Sequence, residues 1–75
     1  MTVTLIATET TENQHYAIME HTGKAAGAVT REYGLTVDGI DIGGRWVYRN
    51  DQGDFISLHK YRNDLFDRHS ITVKG

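Results

Sequence analysis

The sequence predicts a small α+β domain, an antiparallel sheet of four to five strands in chain order β-β-α-β-β-β with one helix packed on one face. Three observations predict it. Residues 45–61 read as a β-hairpin, two runs rich in aromatic and β-branched residues around the turn Asn50-Asp51-Gln52-Gly53. Residues 2–9 alternate Val3, Leu5 and Ala7 against Thr2, Thr4 and Thr8, as a half-buried strand does. Residues 23–33 place Ala25, Ala26, Val29 and Tyr33 at i, i+1, i+4 and i+8, the stripe of an amphipathic helix.

In chain order, the opening strand is favoured by its Thr and β-branched content, with Ile6 on its second face. Thr10-Thr11-Glu12-Asn13 is polar and turn-like, and His15–Glu20 returns as the second strand of a hairpin. Ala17, Met19 and Glu20 would equally suit a helix. Thr22 can cap the expected helix at 23–33, and Gly34 sits where a left-handed C-cap belongs. Gly27 inside it costs about 1 kcal/mol relative to Ala. Lys24 and Glu32 oppose the helix dipole, which Arg31 partly offsets. Such a helix forms because a sheet receives its apolar stripe. Leu35-Thr36-Val37 and Ile40-Asp41-Ile42 make a third strand, interrupted at Asp38-Gly39 by a turn or bulge. Gly43-Gly44 then reverses the chain into the central hairpin. Asn63-Asp64-Leu65-Phe66-Asp67 suggests one helical turn capped by Asn63, and 70–74 a last short strand.

With 75 residues there is room for one domain, 1–75. A chain of this size buries only about 60% of its unfolded surface, so the core is thin. There is no Cys, hence no disulfide framework and no thiolate zinc site, which fits a reducing compartment. No apolar run approaches the roughly 18 residues of a membrane span, and the start has no basic signal-peptide region. The expectation is a soluble protein of the cytoplasm with no membrane partner.

The formal charge of −2 argues against a general, charge-driven nucleic-acid binder. It hides an asymmetry. Residues 1–44 hold six carboxylates against Lys24 and Arg31, whereas residues 45–75 hold four against six bases.

Pairing Arg49 with Asp54 sets Val47 opposite Ile56, Arg45 opposite Leu58, Tyr48 opposite Phe55 and Trp46 opposite Ser57. One hairpin face then shows Val47, Ile56 and Leu58, with Arg45, Arg49 and Lys60 at its margins; the other shows Trp46, Tyr48, Phe55, Ser57, His59 and Tyr61. A single short helix covers only one of them, so the other meets solvent, a partner or a second copy. Either the ring-bearing face is core and the bases are a solvated rim, or the aliphatic face is covered and a ring-and-base platform is exposed. A slipped register would exchange the faces.

No catalytic, metal or cofactor motif emerges. His15, His21, His59 and His69 form neither HxH nor HExxH. Asp51-Gln52-Gly53-Asp54 lacks the twelve-residue spacing of a calcium loop. Gly39, Gly43 and Gly44 make no phosphate loop. Ser57 and His59 lie two apart with no orienting acid. The expectation is a non-enzyme with no cofactor. The functional signal is the set Arg45, Trp46, Tyr48, Arg49, Lys60 and Arg62, bases interleaved with rings. Asp51, Asp54, Asp64 and Asp67 among them blunt the field, which favours a protein interface over nucleic acid. The acidic first half is a solvated surface or, alternatively, a mimic of phosphate.

The Thr-Val-Thr-Leu-Ile-Ala-Thr opening, the Ala-rich segment at 24–33 read as a helix, and the hairpin Gly-Arg-Trp-Val-Tyr-Arg-Asn-Asp-Gln-Gly-Asp, in a Cys-free chain this short, carry a resemblance. In organisation the chain resembles the small phage- and prophage-encoded inhibitors of host systems, including anti-CRISPR proteins. The resemblance implies stoichiometric binding to a host protein or ribonucleoprotein complex, such as a CRISPR effector, in the bacterial cytoplasm. It transfers no residue position by position. Two other readings stand beside it: a small nucleic-acid-binding or regulatory module using the same residues, and a structural homo-oligomer.

Overall fold

The computed structural model describes residues 4–10 and 14–74. Along them run β1 (Leu5–Glu9), β2 (His15–Glu20), β3 (Ala25–Val37), β4 (Ile40–Arg49), β5 (Phe55–His59), α1 (Arg62–Arg68) and β6 (Ile71–Val73). The strands form one six-stranded sheet in the order β5-β4-β3-β2-β1-β6. Each hairpin connection gives an antiparallel pair, but β6 lies parallel to β1, with Leu5 opposite Ile71 and Ala7 opposite Val73. The mixed sheet follows from the path of the chain. It leaves at one edge through β5 and re-enters at the far edge as β6, and a parallel return needs a crossover. Helix α1 is that crossover. The sheet curls into a half-barrel, and α1 lies in its hollow, with Leu65 fully buried and Phe66 4% exposed.

The main correction to the sequence-based expectation is the helix at 23–33, which is instead the first part of β3, the longest strand. Spacings of four and eight are multiples of two as well as near-multiples of 3.6, so Ala25, Val29 and Tyr33 share a face in either conformation. Long-range pairing decides the matter: β3 bonds to β2 on one side and β4 on the other. Gly27 is needed for that pairing, not tolerated in spite of a helix. Its φ is +132°, and a Cβ there would stand 2.0 Å from the Arg49 carbonyl oxygen.

Other elements shift in consequence. Leu35–Val37 and Ile40–Ile42 are the adjoining ends of two strands, joined by Asp38-Gly39 with φ of 52° and 80°, the left-handed pair of a two-residue hairpin. Gly43-Gly44 is not a reversal but an irregular stretch within β4. The single turn expected at 63–67 is the helix Arg62–Arg68; its N-cap is Tyr61, which makes no side-chain cap bond, and Asn63 instead accepts from Arg62. The strands at 2–9, 15–20 and 70–74 correspond to β1, β2 and β6, although residues 2 and 3 and turn residues 11–13 lie outside the described residues.

The hairpin of β4 and β5 pairs Trp46 with His59, Val47 with Leu58 and Tyr48 with Ser57, two residues from the expected register. An even slip leaves every side chain on its face. The ring-bearing face is the concave one, under α1. Ala7, Tyr16, Ile18, Val29, Tyr48, Leu65, Phe66 and Ile71 form the core there, with Leu5, Ala26 and Trp46 against it. A bulge between Tyr48 and Arg49 sets Phe55 opposite Arg49, and Phe55 is 55% exposed rather than packed with the other rings.

Candidate partner-binding site

Trp46 is the centre of the arrangement. Alternation along β4 turns it to the concave side, and β3 sets Arg31 directly across from it. The Arg31 guanidinium lies 5.8 Å from the Trp46 ring and 5.4 Å from the Tyr33 ring, two residues along its own strand. Both contacts are within cation–π range. On its other side Trp46 meets Tyr16 of β2 at 6.2 Å, and Arg62 at the start of α1 lies 5.4 Å from Tyr16 and 5.5 Å from Phe66. Rings and guanidinium groups therefore form one row, Tyr33, Arg31, Trp46, Tyr16, Arg62, Phe66, from the free end of the β3–β4 hairpin to the helix.

Hydrogen bonds fix the row. Arg31 Nε donates to the Tyr33 hydroxyl, which donates to Gln14 Oε1 at 3.2 Å. Arg62 donates to the Tyr16 hydroxyl, which donates to Glu9 Oε2 at 3.2 Å. Gly44 makes room for one end: a Cβ there would lie 2.9 Å from the Tyr33 ring and 3.1 Å from Arg31. At the other end Trp46, Tyr61, Arg62 and Asn63 line an open notch. Lys60 Nζ stands 5.6 Å from the Tyr61 ring.

The six residues singled out from the sequence divide among three environments. Trp46 and Arg62 meet at the notch, with Lys60 beside it. Tyr48 is sealed in the core, its hydroxyl donating to the Ala26 carbonyl at 3.1 Å, and burial with Asp51 nearby raises its pKa. Arg45 and Arg49 turn to the convex side. Arg45 bends back on the carbonyls of Ile42 and Gly44, while Arg49 is bridged at 3.0 Å to Glu32, which strengthens its hold on its proton. Arg31, Tyr33 and Tyr16 escaped selection because 31–33 read as helix and 15–20 as an ordinary hairpin strand. The available signal was the Arg31-x-Tyr33 alternation, which places both side chains beside Trp46 once the segment is a strand.

A second cluster lies under the far end of α1. Ser57 Oγ and His69 Nε2 are 2.7 Å apart, and His69 meets the rings of Tyr48 and His59 edge-on at 5.0 and 6.2 Å. Ser57 thus pairs with His69 and not with His59, its neighbour in the strand. Burial, then His59 and Arg68, lower the His69 pKa. Among the described residues, no group of three or more His, Cys, Asp or Glu is placed to hold a metal ion, and no helix is long and apolar enough to cross a membrane.

Comparison with protein-family models, curated proteins and solved structures found no match to this chain.

Proposed function

We propose that this chain is a non-enzymatic binding protein that acts stoichiometrically on a nucleic-acid-handling complex, in the bacterial cytoplasm, with the ring–guanidinium row as its partner face. One observation carries the reading. Arg62 lines an aromatic notch and Arg31 packs on its Trp46, and among the described residues neither is bridged to a carboxylate; the one such bridge there is Arg49–Glu32 on the opposite face. Trp, Tyr and Arg are the side chains that dominate binding energy at interfaces, most of all when rings hold the guanidinium in place. The organisation shared with small phage-encoded inhibitors supports the choice of partner through the opening strand and the late Trp hairpin. Its third point, the Ala-rich segment, belongs to β3.

The test is affinity purification from bacterial lysate with three baits: the wild-type chain, an Arg31→Gln/Tyr61→Ala variant, and Lys24→Gln as a charge-matched control at another corner of the sheet. A stoichiometric complex retained by wild type and Lys24→Gln but lost by the double variant is the expected result. Equal capture by all three sinks the assignment of the row as the partner face.

A further inference from the structure

We infer that the exposed part of the row (Tyr33, Arg31, Trp46 and Arg62), with Tyr61 and Lys60 beside it, is a track for single-stranded nucleic acid, with a base stacked in the notch between Trp46 and Tyr61 and backbone phosphates held by Arg31, Lys60 and Arg62. The inference builds on the row being the partner face and names what occupies it.

Sequence alone gives a blunted field, because the bases of residues 45–68 are interspersed with Asp51, Asp54, Asp64 and Asp67. The fold sorts them. Asp51 and Asp54 belong to the turn after Arg49, beyond the end of β4 from Gly44 and Trp46, and Asp67 is in the last turn of α1. Asp64, in the first turn of α1, is exposed and next in sequence to Asn63 on the notch, but among the described residues it is not bridged to any of these bases. Glu9 is bound to the Tyr16 hydroxyl. Arg31, Lys60 and Arg62 are left around Trp46 and Tyr61 with no carboxylate bridged to any of them among the described residues.

The hydrogen bonds favour an anion with several acceptors. Among the described residues Arg31 donates a hydrogen bond only through its Nε, so its two terminal amino groups keep donors for a phosphate, even though one of them packs against Gly44. Asn63, on the rim of the notch, carries an amide able to meet the edge of a base.

Two further features select a single strand. Tyr33 and Tyr61 are 62% and 59% exposed, large rings at the surface each with a cation close by. Every base has a face to stack on such rings, but only if it is not already stacked within a duplex. Three cations are also few for a duplex binder, which works chiefly by neutralising phosphates.

Trp46 is the only tryptophan, so its emission reports directly on the notch. The experiment titrates the intact chain with an unlabelled oligothymidylate and an oligouridylate, and with duplex DNA of the same length. Saturable quenching by the single strands is expected. With three phosphates engaged, binding should weaken roughly 20-fold between about 50 and 200 mM salt. Arg31→Gln and Tyr61→Ala should each weaken binding about tenfold, as one lost phosphate contact or stacked base does, while Lys24→Gln does not. Amide shifts in NMR spectra should change at 31–33, 44–46 and 59–63 and leave the turn at 50–54 in place, a readout that holds even where a variant is destabilised.

No quenching by single strands at low salt overturns the inference, as does equal binding of duplex or indifference to both row variants. Failure here is distinct from failure of the function proposed above. A complex that survives nuclease treatment of the lysate and still requires Arg31 and Tyr61 would keep the row as a protein-binding face and remove nucleic acid as its occupant.

Discussion

The two halves of the β3–β4 ribbon have the same strand pairing and opposite fates. From Ala25 to Arg31 and from Trp46 to Arg49 the ribbon is flanked by β2 on one side and β5 on the other. Val29, Val47 and Tyr48 are buried there. From Tyr33 to Gly44 no strand of the described residues flanks it, and Tyr33, Val37 and Ile40 are each about half exposed or more. What separates the halves is not their hydrophobicity but whether the sheet continues on either side. The inner half is part of the core, and the outer half is an arm that ends in the Asp38-Gly39 turn. The ring–guanidinium row sits on the boundary, where Tyr16 and Phe66 belong to the core while solvent still reaches Tyr33 and, in part, Arg31, Trp46 and Arg62.

The sharpest way to break this contrast is at Gly27. Alanine there must adopt a φ that side chains avoid, with its Cβ 2.0 Å from the backbone oxygen of Arg49. Backbone cannot swing aside as a side-chain tip does. Gly27→Ala is expected to cost about 3 kcal/mol or more, a large part of the stability of a domain this size, as measured by urea unfolding. A loss under about 1 kcal/mol would mean that the inner half is not held by that close approach. Leu65→Ala tests the other side of the same core. It removes a fully buried side chain from the helix that fills the half-barrel, for an expected loss of about 3 kcal/mol.

Much of this was legible in the sequence, and the rest was hidden for identifiable reasons. β1, β2 and the β4–β5 hairpin were read from alternation and from the Asn50–Gly53 turn. Asn50 Oδ1 organises that turn by accepting from the amides of Gln52 and Asp54. β3 was not read because its apolar residues fall at multiples of four and its alanines favour a helix locally. The evidence against a helix, a carbonyl 22 residues away pressing on Gly27, is invisible to any local pattern. The same reading hides half of the candidate site, since Arg31 and Tyr33 reach Trp46 only in an extended strand. Trp46 and Arg62 stand out in the sequence as a ring and a base, and the structure brings them together at the notch. Arg45, Arg49 and Tyr48 were grouped with them although neighbours along a strand face opposite ways and a core tyrosine has no free face.

A smaller effect sharpens the contrast through pH. The His69 ring is partly buried against Tyr48 and lies near His59 and Arg68, so protonation is disfavoured in the fold and its pKa falls below the ordinary 6.5. Above that pH the ring is neutral in both states and this stability is fully present. As pH drops through 6.5 the unfolded chain takes up the proton first, and stability declines until the lowered folded value is reached. Unfolding midpoints in urea at about pH 7.5 and 5.5 should therefore differ in wild type and differ less in His69→Gln, which keeps a partner for Ser57. Equal pH dependence in both would show that His69 does not report on the inner half.

The smallest expected effect is at the tip of the arm. Ile40, the most exposed of the large apolar side chains among the described residues at 67%, stands beside the Asp38-Gly39 turn with its backbone already paired to Val37. Ile40→Thr keeps β-branching and the fit to a strand and removes only apolar surface that folding scarcely buries. Stability should change by no more than about 0.5 kcal/mol in urea unfolding. If the substitution instead cost about 2 kcal/mol, the tip would have to be covered, by a second copy of the chain or by a fold-back onto the sheet. The two are separable by the concentration dependence of the unfolding midpoint, because only self-association couples stability to protein concentration. A small, concentration-independent change leaves the arm as an unflanked ribbon, held by its own cross-strand bonds and turn.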